Sequence, residues 1–180
     1  MKRSGFAPRK TALRPKSVVK KRKYKHLEDK NTQELDRVAW EWFSRYVRLR
    51  DSEWSSNGWL GKCISCSHSG VVVTPDGKFV AGWDAGHYVT RGNKVVKYDE
   101  RNVNLQCKFH CNKMLSGNRD KQYPALQEKY GQEVPDELDK LAKDTHYYKF
   151  TRDELLQVIS DSKEYITHTL THPDHYAKII

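Results

Sequence analysis

From Leu35 onward, apolar residues return every three or four positions. Leu35, Val38, Ala39, Trp42, Phe43, Tyr46 and Leu49 are separated by Asp36, Arg37, Glu41, Arg45 and Arg48. That period predicts one amphipathic helix whose aromatic stripe faces a core. Asn31 followed by Glu34 offers a capping box at its start. Ser55-Ser56-Asn57-Gly58 reads as its end. Beyond this point the period changes. Val71–Thr74 and residues 79–81 flank Pro75-Asp76-Gly77, which predicts a hairpin. A second hairpin is expected to join Trp83–Thr90 to Val95–Tyr98 through Arg91-Gly92-Asn93. Past Cys111 the helical period returns, over Tyr123–Tyr130, Pro135–Lys143 and Thr151–Leu170. Gly131 can close the first of these, Pro135 suits the first turn of the second, and Thr151 with Glu154 can cap the third. In that last helix Leu155, Val158, Ile159, Ser162, Tyr165, Ile166 and Thr169 form a face that needs a partner, on the domain itself or on another subunit. The elements together describe an α+β chain.

Composition changes this picture mainly at one end. The chain has 180 residues, 37% hydrophobic and 31% charged, with a formal charge of +10. It contains no apolar run long enough to span a membrane, and MKRSGFAPRK lacks the apolar stretch of a secretory leader. Residues 1–25 hold eleven lysines and arginines and no acid, whereas the remainder carries 22 bases against 23 acids. An arm of this composition cannot bury enough surface to fold alone. Lys20, Lys21, Arg22 and Lys23 are its densest run, and counterion release on phosphates makes nucleic acid the expected partner. Four stretches follow: a basic flexible arm over 1–30, the amphipathic helix over 31–56, a metal-pinned core over 57–131 and a helical region over 132–180.

The four cysteines fall as Cys63-x2-Cys66 and Cys107-x3-Cys111. Two short knuckles some 40 residues apart suit a four-thiolate zinc site. Two disulfides are the alternative, but neither spacing within a pair is comfortable for one. Four protein ligands leave no open coordination position, so this zinc is structural. His68 and His110 lie beside the thiolates, and either can replace one.

Between and after the knuckles stand Asp84-Ala85-Gly86-His87-Tyr88, then Asn102, then Asn112. Phosphodiester hydrolysis needs a hard cation with oxygen ligands and a base that is neutral near pH 7. Asp84 and Asn112 can hold such an ion, and His87 can be the base. Three positions along a strand put Asp84 and His87 on opposite faces unless the chain bends at Ala85-Gly86. His87 as a metal ligand, or Asp99 or Asp120 as the carboxylate, therefore stand as alternatives. Arg91 and Lys94 are candidates for phosphate contact. His146, His168, His172 and His175 fall in the C-terminal part, where surface roles are expected.

The order of His87, Asn102 and then Asn112 beside the last cysteine, with the spacing Asn102-x4-Cys107, resembles the HNH (His-Me finger) nucleases in a His-Asn-Asn version. The strings GHYVTRG, NVNLQCKFHCN, SGN and YPALQEKYG resemble the NinG or Rap family of lambdoid phage recombination proteins, over roughly residues 60–131. Asn112 followed by Gly117 is also similar to phage endonuclease VII resolvases. The resemblance implies a zinc-pinned ββα-metal core with His87 as base, Asn102 bracing the loop and Asn112 opening a helix beside a Mg²⁺ or Mn²⁺ ion. It implies an endonuclease on branched DNA such as Holliday junctions and D-loops, leaving a 5′-phosphate and a 3′-hydroxyl. It further implies a phage-encoded protein acting in the host bacterial cytoplasm. Two symmetric cuts imply a homodimer, with the last helix as the expected interface. Many HNH enzymes place a carboxylate directly before the base, where this chain has Gly86. Two other readings fit the same residues: a non-catalytic zinc-ribbon protein that binds single-stranded or branched DNA, and a sequence-specific HNH enzyme.

Overall fold

A computed structural model describes residues 25–144 and 148–176. The expected contacts of Lys20, Lys21, Arg22 and Lys23, and the surface role expected for His146, lie outside the described residues. Helix α1 (Thr32–Arg50) begins at the expected capping box. The Glu34 amide donates to the Asn31 side chain at 2.9 Å, and the Asn31 amide donates to the Glu34 carboxylate at 3.0 Å. Such a cap contributes about 1 kcal/mol. Leu35, Ala39, Phe43, Val47 and Leu49 are its buried residues.

The helix stops at Arg50 rather than running to residue 56. Strands β1 (Ser52–Ser55) and β2 (Gly58–Lys62) pair antiparallel with Ser55 opposite Gly58. The residues expected only to end a helix thus turn a hairpin. Gly58 takes φ +103°, and a Cβ there would lie 2.5 Å from the Val73 carbonyl oxygen. Strand β3 (Ser69–Val73) pairs with β2, giving the order β1-β2-β3. Pro75-Asp76-Gly77 does turn the chain, but the return arm makes a single bridge, Val73 to Phe79.

Strand β4 (Trp83–His87) pairs antiparallel with β5 (Val103–Cys107), not with residues 95–98. The expected second hairpin is therefore wrong. Val96 is fully buried against Leu126, Val134 and Leu138. The apolar run 95–98 is the core of a loop rather than a strand, because its backbone groups are taken by side chains described below. The two sheets are tied by the Trp83 indole N–H, which donates to the Val71 carbonyl at 2.9 Å.

After β5 come a π-helical turn (Lys108–Met114), α2 (Arg119–Tyr130), α3 (Val134–Asp144) and α4 (Arg152–Thr171). Helix α2 begins at Arg119 rather than at Tyr123, and Thr151 with Glu154 forms the expected capping box on α4. The apolar face of α4 finds its partner inside the chain. Leu155 and Ile159 pack on Leu35 and Ala39 of α1, and Tyr165 meets Tyr46 edge-on at 4.9 Å. Ile166 joins the core with Leu49, Trp59 and Leu105. That face is therefore packed within the domain. Among the described residues, no helix is long and apolar enough to cross a membrane.

Candidate functional site

The knuckle is assembled first. Cys63 and Cys66 lie in the turn that leaves β2, held by Cys63 N–H to His68 O at 2.8 Å and Ser67 N–H to Cys63 O at 3.0 Å. Cys107 ends β5, and Cys111 sits in the π-helical turn. The four sulfurs lie within 4.8 Å of one another. All four thiols are free, which removes the disulfide alternative. Cys66 and Cys107 sulfurs are 3.7 Å apart, the separation two ligands have at a tetrahedral ion with bonds of about 2.3 Å. Two N–H groups point at sulfur as they would at thiolates: the Cys111 amide to Cys107 Sγ at 3.4 Å and Asn118 Nδ2 to Cys111 Sγ at 3.6 Å. The donor set fits zinc. Among the described residues it is the one such cluster of potential ligands. His68 stacks on Trp83 instead, and His110 Nδ1 stays 3.6 Å from Cys111 Sγ.

Beside the knuckle opens a cleft of about 560 Å³. Asp84 and His87 reach it from β4 and Asn112 from the π-helical turn, while α1 contributes Trp40, Ser44 and Arg48. The strand-alternation argument that set Asp84 and His87 apart therefore fails. Asn112 Nδ2 donates to Asp84 Oδ2 at 2.9 Å, which leaves the Asn112 amide oxygen and the second Asp84 oxygen as further acceptors. Lys108 Nζ lies 3.9 Å from Asp84 Oδ1. Among the described residues Asp84 is the one carboxylate lining the cleft. Asp99 is paired with Arg101, and Asp120 lines a separate hollow with Tyr88, Arg119 and Tyr123.

His87 sits under the ring of Trp40, with centroids 4.7 Å apart. Its Nε2 lies 3.0 Å from the Lys97 carbonyl oxygen. A carbonyl can only accept, so Nε2 carries the proton and Nδ1 keeps its lone pair. Burial pulls the His87 pKa down to about 4; the carbonyl contact opposes this, and the Arg91 and Lys97 cations reinforce it. The ring is neutral at pH 7.

Asn102 is fully buried and does not line the cleft. Its Nδ2 donates to Val89 O at 3.1 Å and Val96 O at 2.8 Å, and its Oδ1 accepts from Val89 N at 2.7 Å. It closes the loop between β4 and β5, and that loop presents the Lys97 carbonyl to His87. Gln106 is a second brace, which sequence reasoning missed. Its Nε2 donates at 2.6 Å both to Ser65 Oγ in the knuckle and to Gly117 O after the π-helical turn. The side chain passes over Gly86, where a Cβ would come within 1.8 Å of Gln106 Oε1. The position before the histidine is glycine because this amide occupies the space.

The cations divide. Arg91 lines the cleft with its guanidinium 5.3 Å from the Trp40 ring centroid. Lys94 is committed to Asp36 at 2.9 Å, a carboxylate also held by the buried Lys97 at 2.5 Å. Burial alone would raise the Asp36 pKa, but these two ammonium groups and the Tyr98 hydroxyl bring it below the usual range. Arg48 was legible only as a polar residue between apolar positions. It is anchored over the Phe79 ring at 4.7 Å and donates to the Trp83 carbonyl at 3.3 Å. Burial lowers its pKa while the Asp84 carboxylate opposes the shift. Trp40, Ser44 and Arg48 recur at every fourth position, a spacing that could have revealed a second face of the helix.

A family model described as Bacteriophage Lambda NinG protein matches residues 3–171. The match extends well beyond residues 60–131 at both ends and takes in α1 and α4. No curated protein and no solved structure matches the chain.

Proposed function

The chain belongs to the bacteriophage lambda NinG family, and on that premise we propose that it is a metal-dependent DNA endonuclease acting on branched recombination intermediates, of the Holliday-junction and D-loop class. One observation carries the reading. A neutral imidazole with a free Nδ1, an Asp84–Asn112 oxygen pair and the cations Arg48, Arg91 and Lys108 share one cleft, braced by the four-cysteine knuckle.

The chemistry follows from these atoms. Among the described residues, His87 Nδ1 has no hydrogen-bond partner, so it can take the proton from an attacking water. The Lys97 carbonyl holds the opposite nitrogen as donor and fixes the tautomer. The resulting imidazolium is disfavoured by its burial, which drives the proton onward once the bond has broken. Arg48, stacked and half-buried, offers donors to a phosphate oxygen, and Arg91 and Lys108 add positive potential on either side. Asp84 and Asn112 supply hard oxygens that fit Mg²⁺ or Mn²⁺. When bound there, such an ion neutralises charge on the scissile phosphate and the leaving 3′ oxygen. The four-cysteine site, closed to substrate, holds β5 and the π-helical turn in register. Two symmetric cuts across a junction call for two copies of the chain, whose contact is not the buried face of α4.

The deciding experiment is cleavage of a four-way junction by His87→Ala in Mg²⁺ or Mn²⁺. The rate falls roughly 10²–10⁴-fold, with zinc content unchanged and the chain still folded by circular dichroism. Undiminished cutting removes His87 as the base. Junction binding without cutting, by the wild-type chain under every divalent ion, replaces this reading with a non-catalytic zinc-ribbon DNA-binding protein.

A further inference from the structure

The π-helical turn does more than deliver Lys108 and Asn112 to the cleft. It also carries Phe109, 63% exposed, and Met114, 76% exposed, followed by Leu115 at 46%. These are large apolar side chains in a segment where burial was available to Cys111 alone. The turn's own geometry gathers them. The Leu115 amide donates to the His110 carbonyl at 3.0 Å, the five-residue step of a π-helix. In such a turn residues 109 and 114 lie nearer to one side than the tighter winding of an α-helix would place them. The patch is cationic at its edge: the Lys113 ammonium lies 5.3 Å from the Phe109 ring centroid. The same turn also reaches the cleft, which Lys108 and Asn112 line.

An apolar knob flanked by lysines, on the turn that also lines a cationic cleft, matches one occupant in charge and in chemistry. Unstacked bases present an apolar face next to phosphates. A perfect duplex hides those faces, whereas a branch point exposes them. We propose that Phe109, with Met114, is a wedge that stacks on the unpaired or unstacked bases at a DNA branch and so sets the nuclease's preference for branched over linear DNA. This rests on the endonuclease reading above and adds to it the source of selectivity. A chain that gripped phosphate alone would treat branched and linear DNA alike; the wedge adds binding that linear duplex cannot return. Zinc serves the wedge as well as the cleft, since Cys107 and Cys111 fix the turn on which it stands.

The test uses full-length wild-type protein, Phe109→Ala, Phe109→Trp and Phe109→Ala/Met114→Ala. Both residues are exposed, so zinc content and melting should match wild type. The substrates are a four-way junction with 2-aminopurine at the branch and a linear duplex of the same sequence. The wild-type chain raises 2-aminopurine fluorescence on binding the junction. The double variant loses that rise and binds and cuts the junction about tenfold more weakly, while the residual nicking of linear DNA stays within twofold. Phe109→Trp restores the junction signal. Equal losses on both substrates, or no loss on either, overturn the wedge. So does a variant that alters only the sedimentation of the chain, which would make the patch a contact between copies. The fluorescence rise requires no cleavage. A wild-type chain that unstacks the branch but never cuts therefore overturns the nuclease reading and leaves the wedge standing.

Discussion

The thiolate cluster and the cleft grow from the same two-stranded sheet, yet their polar atoms are treated in opposite ways. At the knuckle, four sulfurs converge on one point and backbone or amide N–H groups approach two of them. Every donor has an addressee, and the site is closed. In the cleft, Asp84 is held through one oxygen, His87 through one nitrogen, and Arg48, Arg91 and Lys108 line the opening. These residues all line the same space. Gln106 joins the two through Ser65 and Gly117. Polar groups left unpaired at a surface are costly to order unless something rigid holds them, and here that support is a few residues away.

The strongest way to break this relation is to disable the four-cysteine site. Cys107→Ser, or stripping zinc with a chelator, takes away a contribution of about 10 kcal/mol or more in isolated zinc modules. Cooperative unfolding of the β4–β5 region should be lost and cutting should fall below detection. Helices α1 and α4 keep part of their circular dichroism, because Leu35, Ala39, Leu155 and Ile159 pack without help from the knuckle. Wild-type melting after zinc removal would show the two sites to be independent.

A smaller effect is expected where the two sites touch. Gly86→Ala pushes a Cβ into the Gln106 amide and should cost about 1–3 kcal/mol in urea unfolding. Gly86→Asp, which places a carboxylate where many HNH enzymes have one, should cost more and restore nothing. In a Gln106→Gly background the Gly86→Ala penalty should shrink by more than half. Additive penalties would mean that the two residues do not compete for the space.

The mildest effect is in acid. His87 titrates at about 4 because it is buried, against about 6.5 for an ordinary histidine. Its base form is complete above pH 5 and is lost as pH falls through about 4, so the acid limb of the cutting rate should lie there rather than near 6.5. The same shift links to stability. Between these values the unfolded chain binds more protons, so acidification from 6.5 toward 4 destabilises the fold. His87→Gln should flatten that slope. An acid limb near 6.5 would place the ring in open solvent.

Much of this was legible along the chain. Capping boxes at Asn31 and Thr151, the stripe of α1, the face of α4 and the two cysteine pairs depend on residues a few positions apart, and local spacing reports them faithfully. Asp84, His87 and Asn112 were legible as chemistry, and the cleft does bring them together. That Asn102 braces the loop was implied by the family resemblance, not by its own spacing. The failures share a cause. The hairpin at Asn57-Gly58 was hidden because β1 is only four residues long and follows a helix without a break. The partner of β4 was misread because Val95–Tyr98 has strand composition but spends its backbone on Asn102 and His87.

By itself, then, the sequence determined which groups could bind metal, accept a proton or meet phosphate, since those capacities are intrinsic to side chains and their short-range spacing. Only the tertiary structure decided which of them act together. It spent Lys94 on Asp36 and Asp99 on Arg101, brought Arg48 from a distant helix to the Trp83 carbonyl beside the cleft, and held Nε2 of His87 on the Lys97 carbonyl. Each of those outcomes turns on which partner lies within about 3–4 Å after burial, and residues separated by tens of positions acquire their distances only when the chain has packed.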